Sequence, residues 1–313
     1  MKLKGGLSVC KLPKIIVISG PTASGKTALA IRVARAVNGV IISADSMQVY
    51  KGLDIGTAKV LYREMFGIEH QLLDIVYPYE KYSVADFQKA ARQAIANAIK
   101  QGKVPILVGG TGLYIQSVVF DYLFDEIEPL DYERYEKYSL QELVQRLSAI
   151  DQQTYATIDL QNRRRLVHAL ALAEQTKQSK SKREQQQAHR MLYNIYSLAI
   201  MPEREQLYAR INQRVEQMMQ EGLVAEVAFF NQKMNLAPQV QKAIGYKETL
   251  AFLKGDIVSK TELLAEIQKN TRRFAKRQVT WIKNQRITYN YLTTEQNEPY
   301  YIKEIVKFLK ENG

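Results

Sequence analysis

A glycine-rich segment constrains the fold of this chain more than any other feature. Residues 20–27 read GPTASGKT and match the pattern G-x-x-x-x-G-K-[S/T], in which backbone N–H groups, a lysine and a hydroxyl surround phosphate groups. The apolar run at 15–18 precedes this segment, and residues 28–37 are typical of a buried helix. A strand, a phosphate-binding loop and a helix in this order predict a parallel α/β sheet that binds a di- or triphosphate at its edge.

The strand and helix signals continue to alternate after this loop. Residues 40–42 are apolar and predict a second strand, and residues 104–108 predict a third. Between them, Ser83 and Asp86 have the spacing of a capping box at the start of an amphipathic helix. Strand–helix–strand units of this kind connect parallel strands through right-handed crossovers.

The middle of the chain lacks strand signals, and its apolar spacing predicts helices instead. Its first part is acidic, and its later part is basic. We therefore predict an α/β fold: a P-loop parallel-sheet core with helices on both faces, formed by residues 1–120 plus 191–313, and an inserted small helical domain at 121–190. The polar segment 176–189 at the end of the insertion is expected to be a loop.

Polar side chains follow the strands at the edge where the phosphate loop lies. Asp45 comes directly after the second strand, and Thr111 lies in the glycine-rich turn at 109–112 that follows the third. Asp45 could hold Mg²⁺ through water, act as a general base, or only stabilise a turn. The second glycine-rich segment could approach a ligand closely or be a plain tight turn. Lys26 and Thr27 supply a cation and a hydroxyl that can reach Mg²⁺.

The charge balance indicates an anionic partner. The formal net charge is +12, and residues 269–286 contain seven bases and no acids. On a helical wheel the cations of this segment lie opposite Phe274 and Trp281, which we expect to form its buried face. Another basic run lies at 163–165. Each feature alone is common on protein surfaces, but together they indicate that the binding partner is a polyanionic macromolecule.

The cysteine count and the hydropathy exclude several classes of protein. Cys10 is the only cysteine, so an intrachain disulfide framework and a Cys-rich zinc site are excluded, and a reducing, cytoplasmic compartment is expected. No apolar run approaches the roughly 20 residues of a membrane-spanning helix. The sequence carries no signal for an oligomer, and we expect a monomer without a membrane partner.

Several further segments, together with the phosphate loop, resemble one family, the tRNA dimethylallyltransferases. They keep that family's order and span most of the chain. The segments are GPTASGKT at 20–27, DSMQVYKGLDIGTAK at 45–59, YSVADFQ at 82–88, PILVGGTGLYI at 105–115, REQLYARINQRVEQM at 204–218, AIGYKE at 243–248 and AKRQVTWIK at 275–283.

The resemblance implies transfer of a dimethylallyl group from its diphosphate to the N6 of an adenosine in tRNA, the one immediately 3′ of the anticodon. Asp45 would be the general base, Thr111 would orient the acceptor or the diphosphate, and Arg210 or Arg214 would clamp the diphosphate. Mg²⁺ would bind at Thr27. The residues implied to hold the diphosphate are Gly20, Pro21, Thr22, Ala23, Ser24, Gly25, Lys26 and Thr27.

The same resemblance implies contacts with the tRNA anticodon stem-loop. The implied residues are Asp45, Ser46, Met47, Gln48, Thr111, Arg164, Arg165, His168, Lys242, Gly245, Tyr246, Lys247, Lys276, Arg277, Gln278, Trp281 and Lys283. The insertion departs from the family pattern, because IDLQN at 158–162 replaces a His-Pro-Asn-Asp-like stretch before the basic run. This departure leaves the residues implied in catalysis unchanged and concerns only the RNA contacts of the insertion and the tRNA preference.

Three other functions remain open from the residues. A P-loop kinase for small molecules would use the arginines at 163–165 as a lid and would turn over ATP. A prenyl transferase acting on free adenine nucleotides would need neither the insertion nor the extended basic face. A non-catalytic RNA-binding protein with a degenerate P-loop would not need the intact Lys26, Thr27 and Asp45.

Overall fold

The computed structural model divides the chain into two compact units, and each is considered by itself. The larger contains residues from 1–119 and 192–313, and the smaller is 120–191. Cys10 and most of the expected loop at 176–189 lie outside the described residues. The structure describes residues 12–124, 131–177, 179, 181–182 and 189–311.

In the described residues of the larger unit, six strands form one sheet, and each pair of neighbouring strands is parallel. The strands are β1 (Lys14–Ser19), β2 (Gly39–Ser43), β3 (His70–Gln71), β4 (Val104–Gly109), β5 (Asn194–Ile200) and β6 (Asn290–Leu292). Their order is β3-β2-β4-β1-β5-β6, so the strand before the phosphate loop is central and β4 lies between β1 and β2. The predicted parallel α/β sheet is therefore confirmed. Strand β3 was not predicted because two residues carry no periodicity.

The described residues also form twelve α-helices. They are α1 (Lys26–Val37), α2 (Val84–Lys100), α3 (Gly112–Val119), α4 (Leu140–Ile150), α5 (Gln152–Thr157), α6 (Arg163–Thr176), α7 (Arg204–Glu221), α8 (Leu223–Lys233), α9 (Pro238–Gln241), α10 (Tyr246–Lys254), α11 (Lys260–Lys283) and α12 (Glu298–Lys310). The predicted capping box of α2 is confirmed, since Asp86 N–H donates to Ser83 Oγ and Ser83 N–H donates to Asp86 Oδ2.

The C-terminal helices pack against the segment that follows β2. Val49, Tyr50 and Leu53 from this segment share one apolar cluster with residues of α7, α8, α10 and α11. A second cluster lies between the sheet and helices α1 and α12. Because the first cluster joins distant parts of the chain, the residues just beyond β2 are fixed by helices that lie more than 150 residues later.

The smaller unit is helical in its described residues. Helices α4 and α6 supply its core through Leu143, Leu147, Leu166 and Leu170, and Tyr135 is also fully buried there. Ser139 caps α4 by accepting a hydrogen bond from the N–H of Glu142. Among the described residues of both units, no helix is long and apolar enough to span a membrane.

The edge of the sheet where β4 ends has no room for a side chain. The Ala44 N–H donates to the Val108 carbonyl over 2.7 Å. A Cβ atom on Gly109 would lie 2.1 Å from the Ala44 carbonyl oxygen, so one backbone would have to move. Glycine at 109 therefore allows the ends of β2 and β4 to meet.

We predict that Gly109→Ala lowers the free energy of unfolding by about 1–3 kcal/mol, because the clash is with backbone and cannot be relieved by a rotamer change. Urea denaturation of the full chain measures this. The control Gln101→Ala, at the exposed end of α2 before β4, should stay within about 0.5 kcal/mol of the parent. Equal stabilities of the two variants would contradict the conclusion that the contact between the ends of β2 and β4 requires glycine at position 109.

Candidate active site

The phosphate loop leaves the N-terminus of α1 open to an anion. Gly25 has φ +91°, a left-handed conformation that favours glycine, and no side chain caps the helix that begins at Lys26. The first turn contains no acidic residue. The unpaired N–H groups and the helix dipole therefore present a positive potential at the end of β1.

Gln278 joins the two glycine-rich turns. Its Oε1 accepts a hydrogen bond from the Thr22 N–H over 2.9 Å, and its Nε2 donates to the Gly110 carbonyl over 3.0 Å. The side chain is buried, and a Cβ atom on Gly110 would lie 2.3 Å from Nε2. Close by, Trp281 packs against Gly112 so tightly that a Cβ atom there would overlap the indole. Helix α11 therefore fixes the spacing between the two turns.

Asp45 and Thr111 lie on adjacent turns at this edge. Asp45 Oδ1 accepts hydrogen bonds from the N–H groups of Met47 at 2.9 Å and Gln48 at 3.4 Å. Among the described residues, no hydrogen bond to Asp45 Oδ2 is found. The Thr111 hydroxyl accepts a hydrogen bond from the Ser46 N–H over 3.4 Å. One carboxylate oxygen of Asp45 thus fixes the turn that follows β2.

A cavity of about 550 Å³ lies over the phosphate loop. Its polar lining includes Lys26, Thr27, Asp45, Gln48 and Arg214. The segment after β2 and helix α1 form another part of the lining. Their apolar side chains there are Ala28, Ile31, Ala58, Val60 and Phe66, and their polar side chains are Arg32, Arg35, Thr57 and Glu64. The cavity therefore combines cations and carboxylates with a partly apolar wall.

The cavity distinguishes Arg210 from Arg214, the two arginines of α7 that the resemblance offers as a clamp. Arg214 lines it beside Lys26, whereas Arg210 lines a second cavity of about 520 Å³ on the other side of the phosphate loop. Of the loop residues expected to bind diphosphate, Thr22, Ala23, Gly25, Lys26 and Thr27 also line the first cavity, while Ser24 lines the second.

Burial lowers the pKa of two cations in the first cavity. Desolvation lowers the pKa of Lys26 to about 8, with Asp45 raising it and Arg214 lowering it. Desolvation also lowers the pKa of Arg214. Two desolvated cations lose hydration energy, and a bound anion would compensate for that loss.

The residues that the resemblance assigns to RNA occupy different environments. Tyr246 is buried, as is Gln278, and each makes hydrogen bonds within the protein. Trp281 is half-buried. Exposed residues of this set are Arg164, Arg165, His168, Lys242, Lys247, Lys276, Arg277 and Lys283. The described structure therefore offers cations, rather than these two polar side chains, to a partner in solution.

The buried stripe of α11 differs from the expected one. Leu263, Ile267, Ala275, Gln278 and Ile282 are buried, whereas Phe274 and Trp281 are only half-buried. The difference arises because the buried positions include a small and a polar residue, which a hydrophobic pattern does not mark.

Oxygen ligands for a magnesium ion are present at the cavity but do not form a closed site. No cluster of three or more His, Cys, Asp or Glu side chains is found in the described part of the chain. Thr27 and Asp45 both line the cavity. Because Mg²⁺ prefers one or two protein oxygens together with phosphate oxygens and water, these residues fit a site that is completed by a phosphorylated substrate.

The comparisons with known proteins decide the family. The sequence model described as IPP transferase matches residues 48–285. The chain belongs to the IPP transferase family. It is 46% identical to the tRNA dimethylallyltransferase of Anoxybacillus flavithermus over 274 residues, which cover 87% of this chain and 88% of the relative. The corresponding Bacillus subtilis protein is 42% identical over 276 residues, 86% of this chain and 88% of that protein.

Solved structures agree with this assignment. The tRNA isopentenylpyrophosphate transferase of Staphylococcus epidermidis matches with a TM-score of 0.70 and 39% identity, covering 96% of this chain and 100% of that one. A eukaryotic dimethylallyltransferase acting on tRNA matches with a TM-score of 0.80 and 26% identity, covering 96% of this chain and 81% of that one. The chain is therefore an enzyme, as its relatives are.

We predict that Lys26 loses its proton at about pH 8, well below the usual 10.5 for lysine. Asp45→Asn should lower this pKa further, because it removes a charge that favours the ammonium, and Arg214→Gln should raise it. The pH dependence of acetylation of Lys26 by acetic anhydride, followed by mass spectrometry, measures the change. A midpoint near 10.5 in all three proteins would contradict this electrostatic account.

Proposed function

We propose that this protein transfers the dimethylallyl group of dimethylallyl diphosphate to the exocyclic N6 of the adenosine immediately 3′ of the anticodon in tRNA, releasing diphosphate. The observation that carries the proposal is the cavity in which the phosphate loop, two desolvated cations and Asp45 meet. The similarity to tRNA dimethylallyltransferases supports the same reaction.

The phosphate loop and its neighbours would hold the leaving group. The α1 amides, Lys26 and Arg214 would receive the diphosphate and stabilise the charge that develops as the C–O bond breaks. A Mg²⁺ ion, held by Thr27 and the diphosphate oxygens, would neutralise part of that charge when bound. Arg214 is the proposed clamp, because Arg210 does not line this cavity.

Asp45 would accept the proton of the nucleophile. The exocyclic amine of adenine is a weak nucleophile, because its lone pair is delocalised into the ring. As N6 forms a bond to the allylic carbon, one N–H proton would pass to Asp45 and the electrons of the C–O bond would leave with the diphosphate. Thr111, whose hydroxyl neighbours Ser46, would orient the acceptor or the diphosphate.

The acceptor base must leave its stack to enter a cavity of this size. An anticodon loop makes this easier, because its bases are unpaired. Ser46, Met47 and Gln48 would contact the target base. The exposed cations Lys242, Lys247, Lys276, Arg277 and Lys283 would contact the RNA backbone, and Arg164, Arg165 and His168 of the smaller unit would contact the anticodon stem.

The direct test mixes the protein with Mg²⁺, labelled dimethylallyl diphosphate and unmodified bulk tRNA, followed by nucleoside analysis. The proposal predicts that the label is recovered from the RNA as N6-dimethylallyl adenosine. Label in AMP, ADP or ATP but not in RNA would favour the transferase for free nucleotides. ATP turnover with a small acceptor and no alkylation would favour a kinase.

We predict that Asp45→Asn lowers kcat by about 10²–10⁴-fold, because it removes the proposed proton acceptor while keeping the size of the side chain. The dissociation constant for tRNA should stay within about threefold, because the RNA contacts come mainly from other residues. Single-turnover rates and filter binding measure the two effects. A large loss of tRNA binding with little change in the rate of transfer would contradict the role of general base.

A matched pair of variants tests the diphosphate clamp. Arg214→Ala should raise the KM for dimethylallyl diphosphate by about tenfold or more, since it removes a charge-assisted contact in a partly desolvated cavity. Arg210→Ala, one turn earlier on α7, should change this KM by less than about threefold. Steady-state kinetics at saturating tRNA measures both, and the opposite order would reassign the clamp to Arg210.

A further inference from the structure

A carboxylate on α8 binds three consecutive backbone N–H groups in the segment after β2. Glu226 accepts hydrogen bonds from the N–H groups of Asp54 at 2.9 Å, Ile55 at 2.7 Å and Gly56 at 3.0 Å. Successive N–H groups that converge in this way form a nest for an anion. Here the anion is supplied by the protein itself, so the conformation of residues 54–56 depends on Glu226.

Tyr246 holds Glu226 from the opposite side. Its hydroxyl donates to Glu226 Oε1 over 2.7 Å. Its ring packs so closely on Gly56 that a Cβ atom there would lie 2.6 Å away. The Gly245 N–H donates to Glu248 Oε2 over 2.8 Å, and this hydrogen bond fixes the start of α10, the helix that carries Tyr246. The carboxylate is thereby held against the nest.

The segment held by Glu226 continues directly into the cavity wall. Thr57 and Ala58 line the cavity, and the Thr57 carbonyl accepts a hydrogen bond from Gln48 Nε2 over 3.3 Å. Lys59 is buried and donates to the Tyr50 carbonyl over 2.7 Å. Val60, the next residue, adds apolar lining. The wall is therefore held by side-chain contacts from Gln48 and Lys59 and, through the backbone of residues 54–56, from Glu226, rather than by strand pairing.

We propose that Glu226 is a positioning residue that fixes this wall and so sets the length of allylic chain that the cavity accepts. The inference rests on the proposed function. Because the phosphate loop would hold the diphosphate end, the cavity could exclude a longer allylic chain only if the residues of this wall cannot move apart. Glu226 touches no substrate in this account and acts through the backbone of residues 54–58.

The test compares dimethylallyl and geranyl diphosphates as donors to tRNA. The ratio of their kcat/KM values is independent of the fraction of enzyme that is correctly folded, so a general loss of stability does not change it. Glu226→Gln keeps the size of the side chain but places an amide donor against the N–H groups. It should lower the preference for dimethylallyl diphosphate by about tenfold. Tyr246→Phe, which removes one hydroxyl, should lower it by a smaller factor.

Glu221→Gln is the matched control. Glu221 ends α7, is exposed and accepts a hydrogen bond from Gln217 only, within the described residues. This variant should keep the donor preference of the parent within about twofold. A preference that is the same in the Glu226→Gln, Glu221→Gln and parent proteins would overturn the inference. If Glu226→Gln does not fold, Tyr246→Phe and Glu226→Asp provide the comparison.

Hydrogen exchange separates this inference from the proposed function, because it needs no substrate. The amides of Asp54, Ile55 and Gly56 should be protected in the parent and should exchange at least about tenfold faster in Glu226→Gln. Unchanged protection would overturn the positioning role. If the parent transfers no prenyl group to tRNA, the proposed function fails and so does the claim of chain-length selection, whatever the exchange rates are.

Discussion

The arrangement of this site depends on the hydrogen bonds of one buried amide. Gln278 accepts from the Thr22 N–H and donates to the Gly110 carbonyl, and so fixes the distance between the two glycine-rich turns. The parallel sheet brings the ends of β1, β2 and β4 to the same edge, because these strands are neighbours in the order β2-β4-β1. Gln278 joins that edge to the basic helix α11, so the phosphate loop and the cationic surface belong to one packed structure.

Much of the sheet edge could be predicted from the sequence. Three of its features could be predicted because they depend only on residues that are close together in the sequence. These are the strand before the phosphate loop, the helix after it and the capping box of α2. The positions of Asp45 and Thr111 followed from the rule that parallel strands end at one edge. The roles of Gln278 and Glu226 could not be predicted, because each acts on residues more than 150 positions away. The choice between Arg210 and Arg214 also needed coordinates, since both lie on α7.

Electrostatics connects this geometry to the proposed reaction. Lys26 and Arg214 are both desolvated, which is unfavourable in the absence of an anion and favours a ligand that carries several negative charges. Asp45 lies close enough to raise the pKa of Lys26, so the proposed base and the proposed leaving-group site influence each other. In the proposed complex, the apolar part of the wall next to the segment held by Glu226 would receive the hydrocarbon chain attached to that anion.

The central claim is that the enzyme alkylates one defined adenosine of tRNA. The most direct measurement uses two anticodon stem-loop RNAs that differ only in the nucleotide immediately 3′ of the anticodon, adenosine in one and guanosine in the other, with labelled dimethylallyl diphosphate and Mg²⁺. The account predicts label in the first RNA and none in the second. Equal labelling of both RNAs, or label in neither while a full-length tRNA is also unlabelled, would contradict it.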